Sequence, residues 1–75
     1  MNAYLRIEEY NDSYTTTEKL IADYILQNDI LQDSAQVLGE KTKTSAAAII
    51  RLSRKIGFKG FSLLKKKITR SRFNP

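Results

Sequence analysis

Proline occurs once in this sequence, at position 75, and glycine three times, at positions 39, 57 and 60. These residues interrupt helices and strands most effectively, and their scarcity leaves long stretches in which apolar side chains recur at helical spacing. The expectation is one all-α domain over residues 1–75, a compact five-helix bundle with a frayed tail at 71–75. A chain this short buries roughly 60–65 % of the surface its unfolded form exposes, so its core is small and a deep substrate pocket has little room.

Local signals divide the chain. Ala3, Ile7 and Tyr10 stand at i, i+4, i+7 and predict a first helix, broken by Asn11, Asp12 and Ser13. Thr15 and Glu18 have capping-box spacing ahead of a second helix, whose apolar face is Ile21, Ala22 and Ile25, widened by Leu20, Tyr24 and Leu26. Asp33 or Ser34 caps a third, carrying Val37 and Leu38, and Ser45 caps a fourth. Gly57 stands where a left-handed glycine closes that helix, so that Phe58 folds back onto Leu52. Gly60 allows a second tight turn, and Phe61, Leu64 and Ile68 form the buried stripe of the fifth helix. The two phenylalanines of "GFKGF" are read as core residues rather than stacking partners for bases.

Charge is segregated along the chain. Residues 1–40 hold two cations and eight acids, a net −6, whereas residues 41–75 hold eleven cations and no acid, a net +11. This asymmetry points to a polyanion as the partner of the second half. Cysteine and histidine are both absent. Disulfides, thiolate metal sites and nucleophile–histidine catalysis are therefore excluded, and neither a metal nor a cofactor is expected. The chain is not expected to be an enzyme, since Glu8 and Glu9 are adjacent and diverge on a helix and no glycine-rich phosphate loop occurs. No apolar run approaches the ~20 residues of a membrane helix, and the polar N-terminus does not read as a signal peptide. The expected location is the cytoplasm.

The third helix, a short turn and the fourth helix together span about 34–56, the length and order of a helix-turn-helix whose second helix enters the DNA major groove. On a wheel of about 100° per residue, Ser45, Ile49, Leu52 and Ile56 face inward while Ala47, Ile50, Arg51 and Arg54 face out. Ala46 lies between the two arcs, at the end that reaches base edges. The candidate DNA-binding residues are Lys43, Thr44, Ser45, Ala46, Ala47, Ile50, Arg51, Arg54 and Lys55. Small alanines let a helix sit close to the bases, and Ile50 suits a thymine methyl. Arg51 and Arg54 can each pair with guanine or clamp a phosphate, and their spacing does not separate the two roles. Lys41, Lys43, Lys55 and Lys59 are candidates for flanking phosphate contacts, whereas Lys65 to Lys67 read as a solvated face. The alternative is a protein-interaction or dimerisation module whose basic face binds an acidic partner.

Thr15, Glu18, Ile21, Ala22, Tyr24, Ile25 and Leu26, followed by Ser45, Ala47, Arg51, Gly57, Phe58, Gly60, Phe61, Leu64 and Lys65, resemble the N-terminal DNA-binding domain of RpiR-type bacterial regulators. The resemblance covers roughly residues 3–70. It implies a sequence-specific domain that binds double-stranded DNA in transcription regulation, in a full-length protein that is a homodimer or tetramer. It also implies a C-terminal sugar-isomerase-like domain that senses a phosphosugar effector. That sensor domain is absent from these 75 residues. The chain departs from the family pattern at the turn, where Lys43 stands for the usual glycine and Thr44 for a small apolar residue, and in the helices, where Gly39 stands for alanine, Ala48 for a frequent threonine and Leu52 for a frequent phenylalanine.

Overall fold

The structure is a computed structural model that describes the backbone of residues 2–73 and the side chains of residues 2–71. It contains five α-helices: α1 (Ala3–Glu9), α2 (Thr16–Gln27), α3 (Ala35–Lys41), α4 (Ala46–Lys55) and α5 (Phe61–Phe73), with a 3-10 turn at Asn11–Ser13 after α1. No strand occurs among the described residues.

The starts of α2, α3 and α4 are capped as their sequence dictates. Thr15 and Glu18 form the full capping box: the Glu18 N–H donates to Thr15 Oγ1 at 3.2 Å and the Thr15 N–H to Glu18 Oε1 at 2.8 Å. Ser34, not Asp33, caps α3, and Ser45 caps α4, each accepting the backbone N–H three residues on at 3.1 Å. Asp33 is instead buried beneath the start of α3, where it receives Lys41.

A layer rich in isoleucine joins the helices. Ile7 of α1, Ile21 and Ile25 of α2, Leu38 of α3, Ile49 and Leu52 of α4, and Leu64 and Ile68 of α5 are fully buried, together with Ile30 and Ile56 from the connections. Burying a side chain of this size contributes about 1.5–3 kcal/mol, which makes this layer the main source of stability. The apolar faces are narrower than expected at two places: Leu20 on α2 and Val37 on α3 are exposed. On α4, Ser45 is exposed rather than inward, because its hydroxyl is used at the helix start. The inward arc is completed by Ala48 and by Ser53, whose hydroxyl donates to the Ile49 carbonyl at 2.9 Å.

The C-terminal helix is longer than expected. Residues 71–73 are helical, and Ser71 is buried, accepting the Ala3 N–H at 2.9 Å and donating to the Lys67 carbonyl at 2.8 Å. This contact satisfies a free N–H at the start of α1 and holds the two ends of the chain together. The remainder of the expected frayed tail, 74 and 75, lies outside the described residues.

Gly57 closes α4 with φ 101°, and the chain reverses through paired hydrogen bonds. The Phe58 N–H reaches the Ser53 carbonyl at 2.9 Å, and the Gly57 N–H reaches that of Arg54 at 3.0 Å. Phe58 is half-buried, packed against the core and covered by the Arg6 guanidinium 5.5 Å from its ring centre. Phe61 is buried in the core.

Candidate nucleic-acid interface

Helices α3 and α4 make the most extensive helix pair of the fold. Gly39 explains how closely they approach: a Cβ built on it would lie 2.7 Å from the Ser45 carbonyl carbon and 3.0 Å from the Ala46 nitrogen. The first turn of α4 thus rests directly on the α3 backbone. The helix-propensity cost of glycine, about 1 kcal/mol, is offset by that contact.

The turn between them is closed by the same paired hydrogen bonds as the Gly57 turn, with a lysine in the glycine position. The Thr44 N–H donates to the Gly39 carbonyl at 2.7 Å and the Lys43 N–H to that of Glu40 at 3.2 Å. Lys43 carries the left-handed conformation, with φ 58°, a region that disfavours side chains bearing a Cβ. Thr42 is buried, and its hydroxyl donates to the Leu38 carbonyl at 2.8 Å. Its one proton is thereby used, so the 2.8 Å contact with the Thr44 hydroxyl is donated by Thr44.

Replacing Lys43 by glycine is expected to have opposite effects on stability and on binding. Relief of the left-handed strain, less the extra flexibility of glycine in the unfolded chain, raises stability by about 0.5–1 kcal/mol. The loss of one cation from the turn lowers the slope of log K against log salt for duplex DNA by about 0.9. Thermal melting and a salt series on the same variant check both signs.

Of the candidate residues, Lys43, Ser45, Ala47, Ile50, Arg51 and Arg54 are exposed on one side of the turn and α4, with Thr44 and Ala46 half-buried at its N-terminal end. Ile50 and Arg54 line an open groove with Lys59, with Ser34 and Ala35 at the start of α3, and with Gly60, Phe61 and Ser62 at the start of α5. Ala48 is buried and cannot approach a ligand.

Lys55 is placed differently from the rest. Its ammonium donates to Glu18 Oε1 at 2.8 Å and to the Ser13 carbonyl at 2.6 Å, and it lies 5.8 Å from the centre of the Tyr14 ring. It ties the end of α4 to the capping box of α2 instead of standing free on the exposed face. Burial pushes the Glu18 carboxyl up, but the Lys55 ammonium and the Thr15 hydrogen bonds outweigh this and hold it below its ordinary 4.5. Tyr14, whose hydroxyl donates to the Ile7 carbonyl at 2.7 Å, is pushed up to about 12 by burial, then by the Glu18 charge and Tyr10.

A carboxylate whose folded pKa is depressed contributes stability above its unfolded pKa and loses it as pH falls through the folded value. Wild-type protein is therefore expected to exceed Glu18→Gln in stability by about 1 kcal/mol at neutral pH. That margin closes as the pH drops below 4.5, and denaturant melts at pH 7 and in acid measure it.

Two other basic residues are also engaged. Lys41 donates to Asp33 Oδ1 at 3.0 Å, and the carboxylate raises the lysine above its usual range. Lys65, expected to be solvated, donates to the Asp33 carbonyl at 2.7 Å and lies over the Phe61 ring. The acidic half thus binds three cations of the basic half, none of them on the exposed face of α4. Lys43, Arg51, Lys59, Lys66, Lys67 and Arg70 form no ion pair with a described residue. No group of three or more residues able to hold a metal ion occurs among the described residues, and no described helix is long and apolar enough to cross a membrane.

Comparisons with known proteins agree with this geometry. The chain is 45 % identical over 64 residues to TTE0211, an uncharacterized HTH-type transcriptional regulator of Caldanaerobacter subterraneus subsp. tengcongensis, covering 83 % of this chain and 23 % of that protein. It is 34 % identical over 67 residues to YfhH, an uncharacterized HTH-type transcriptional regulator of Escherichia coli K12, covering 87 % of this chain and 24 % of that protein. The chain thus spans about a quarter of the length of these relatives. Residues 1–73 match the family described as "Helix-turn-helix domain, rpiR family". With α3 and α4 joined at Gly39 through the turn at Lys43, and a match that runs through all five helices, the chain belongs to the rpiR family of helix-turn-helix domains.

Proposed function

We propose that this chain is the sequence-specific DNA-binding domain of a bacterial transcriptional regulator, and that α4 is the helix it lays in the major groove. The observation that carries this reading is the sorting of its cations. Lys41, Lys55 and Lys65 are spent on Asp33, Ser13 and Glu18, while Lys43 and Arg51 project unpaired from the turn and the outer face of α4. Among the described residues Lys66, Lys67 and Arg70 are unpaired as well, on α5, but Lys43 and Arg51 are the unpaired cations carried by the turn and second helix of the helix-turn-helix, the part that meets DNA.

The roles follow from position. Ser45 accepts an N–H with its oxygen and retains its hydroxyl proton for a phosphate. Lys43 and Lys59, at the two ends of α4, suit phosphates on either side of the groove. Ala46 and Ala47 leave the N-terminal turn of α4 thin enough to approach base edges. Lys55 acts from behind, holding α4 against α2. No catalytic step enters this reading.

In a protein about four times this length, the remaining residues supply what this domain lacks. They carry the sugar-phosphate sensor that the family resemblance implies, and they pair two or four copies so that half-sites are read together. Such a regulator works in the cytoplasm, where the chromosome is.

Titration with random-sequence duplex DNA over a salt series tests the reading. The expected slope of log K against log salt is about −3 to −6, from near −0.9 per neutralised phosphate. A chain that binds no duplex even at low salt contradicts it.

A further inference from the structure

Arg51 and Arg54 lie nearly one turn apart on the same exposed face of α4, yet their surroundings differ. Arg54 donates its Nε–H to the Lys59 carbonyl at 3.3 Å, so its guanidinium leans toward the joint between α4 and α5 and lines the groove there. The Arg51 guanidinium has no partner among the described residues. Arg51 also stands nearer the N-terminal end of the helix, the end that meets base edges in a helix-turn-helix.

The rest of α4 narrows what that face can read. Its sequence, AAAIIRLSRK, contains no asparagine, glutamine, aspartate or glutamate. Adenine therefore has no bidentate amide partner, and the cytosine amino group has no carboxylate acceptor. The one serine inside the helix, Ser53, is buried with its hydroxyl on the Ile49 carbonyl. What remains exposed is a donor-only guanidinium between apolar Ala47 and Ile50 on one side and a second, tethered guanidinium on the other.

We propose that the two arginines divide the work: Arg51 is the specificity-determining residue, pairing bidentate with O6 and N7 of a guanine, and Arg54 is a phosphate clamp. The half-site then carries a guanine next to thymines whose methyl groups meet Ala47 and Ile50. Tethering suits Arg54 to its role, because its Nε–H is already used on the Lys59 carbonyl and its remaining donors are held at a fixed place for a backbone phosphate, whereas Arg51 keeps all its donors free to match a base edge. This assignment rests on the proposed reading that α4 enters the major groove.

The test uses a duplex selected from a randomised library with this chain. In a second duplex the contacted guanine is replaced by 7-deazaguanine, which lacks the N7 acceptor. Wild type is expected to bind the modified duplex about tenfold more weakly, and Arg51→Ala to bind the two equally. Arg54→Ala is expected to weaken on both duplexes alike, to keep the tenfold discrimination, and to lose about 0.9 from its salt slope. Discrimination that survives in Arg51→Ala or disappears in Arg54→Ala overturns the assignment while leaving the DNA reading intact. Failure of wild type to bind any duplex at low salt overturns both.

Discussion

Replacing Gly39 by alanine is expected to lower the stability of this domain by about 2 kcal/mol, although alanine is the better helix former by about 1 kcal/mol. The added methyl would stand 2.7 Å from the Ser45 carbonyl carbon and 3.0 Å from the Ala46 nitrogen. Both atoms are backbone, so no side chain can swing away. Either α3 and α4 separate, opening the core at Leu38 and Ile49, or the Schellman turn through Lys43 distorts. For a domain of this size such a loss lowers the melting temperature by roughly 8–16 °C. Because α4 moves with the first turn, affinity for duplex DNA falls as well, in a variant whose charge is unchanged. Thermal melting followed by DNA titration measures both effects. A variant as stable as wild type would show that the close crossing of α3 and α4 is not what Gly39 provides.

The second large effect is on binding alone. The pair Arg51→Ala, Arg54→Ala is expected to reduce affinity for a selected duplex at least a hundredfold at constant salt, with the melting temperature within a few degrees of wild type. Both side chains are exposed and neither forms an ion pair with a described residue, so their removal leaves no buried charge behind. The loss combines one phosphate contact with one base contact, worth about 1–3 kcal/mol for a bidentate pair. Unchanged binding in a folded double variant would remove the outer face of α4 from the interface.

The features legible in the sequence are those set by residues close together in it. The capping box at Thr15 and Glu18, the caps at Ser34 and Ser45, and the left-handed Gly57 each depend on a handful of neighbours, and each is found in place. The outer arc of α4 follows from helical periodicity, and Ala47, Ile50, Arg51 and Arg54 are exposed as the wheel requires. The role of Gly39 was not legible, because a close crossing is a property of two helices. In the sequence it reads only as a loss of helix propensity.

The same holds for Lys41, Lys55 and Lys65. Each looks like one more cation in a basic half, and its partner is fixed only once the chain folds: Lys55 finds Glu18, and Lys41 and Lys65 converge on Asp33. Ser71 belongs to this class too, since the N–H that it accepts is that of Ala3, at the opposite end of the chain. A polar residue near a terminus reads as frayed until that contact is known. The reversed places of Leu20 and Val37 have a simpler cause: a narrow core in a small domain leaves part of each apolar stripe uncovered.

The measurement that tests the central claim most directly is a map of backbone amide chemical shifts on this chain as duplex DNA is added. Shifts concentrated between Lys43 and Arg54, with a second cluster near Lys59, are the predicted result. Shifts concentrated on α1 and α2, with Lys43 to Arg54 unmoved, would contradict the assignment of α4 as the DNA-reading helix.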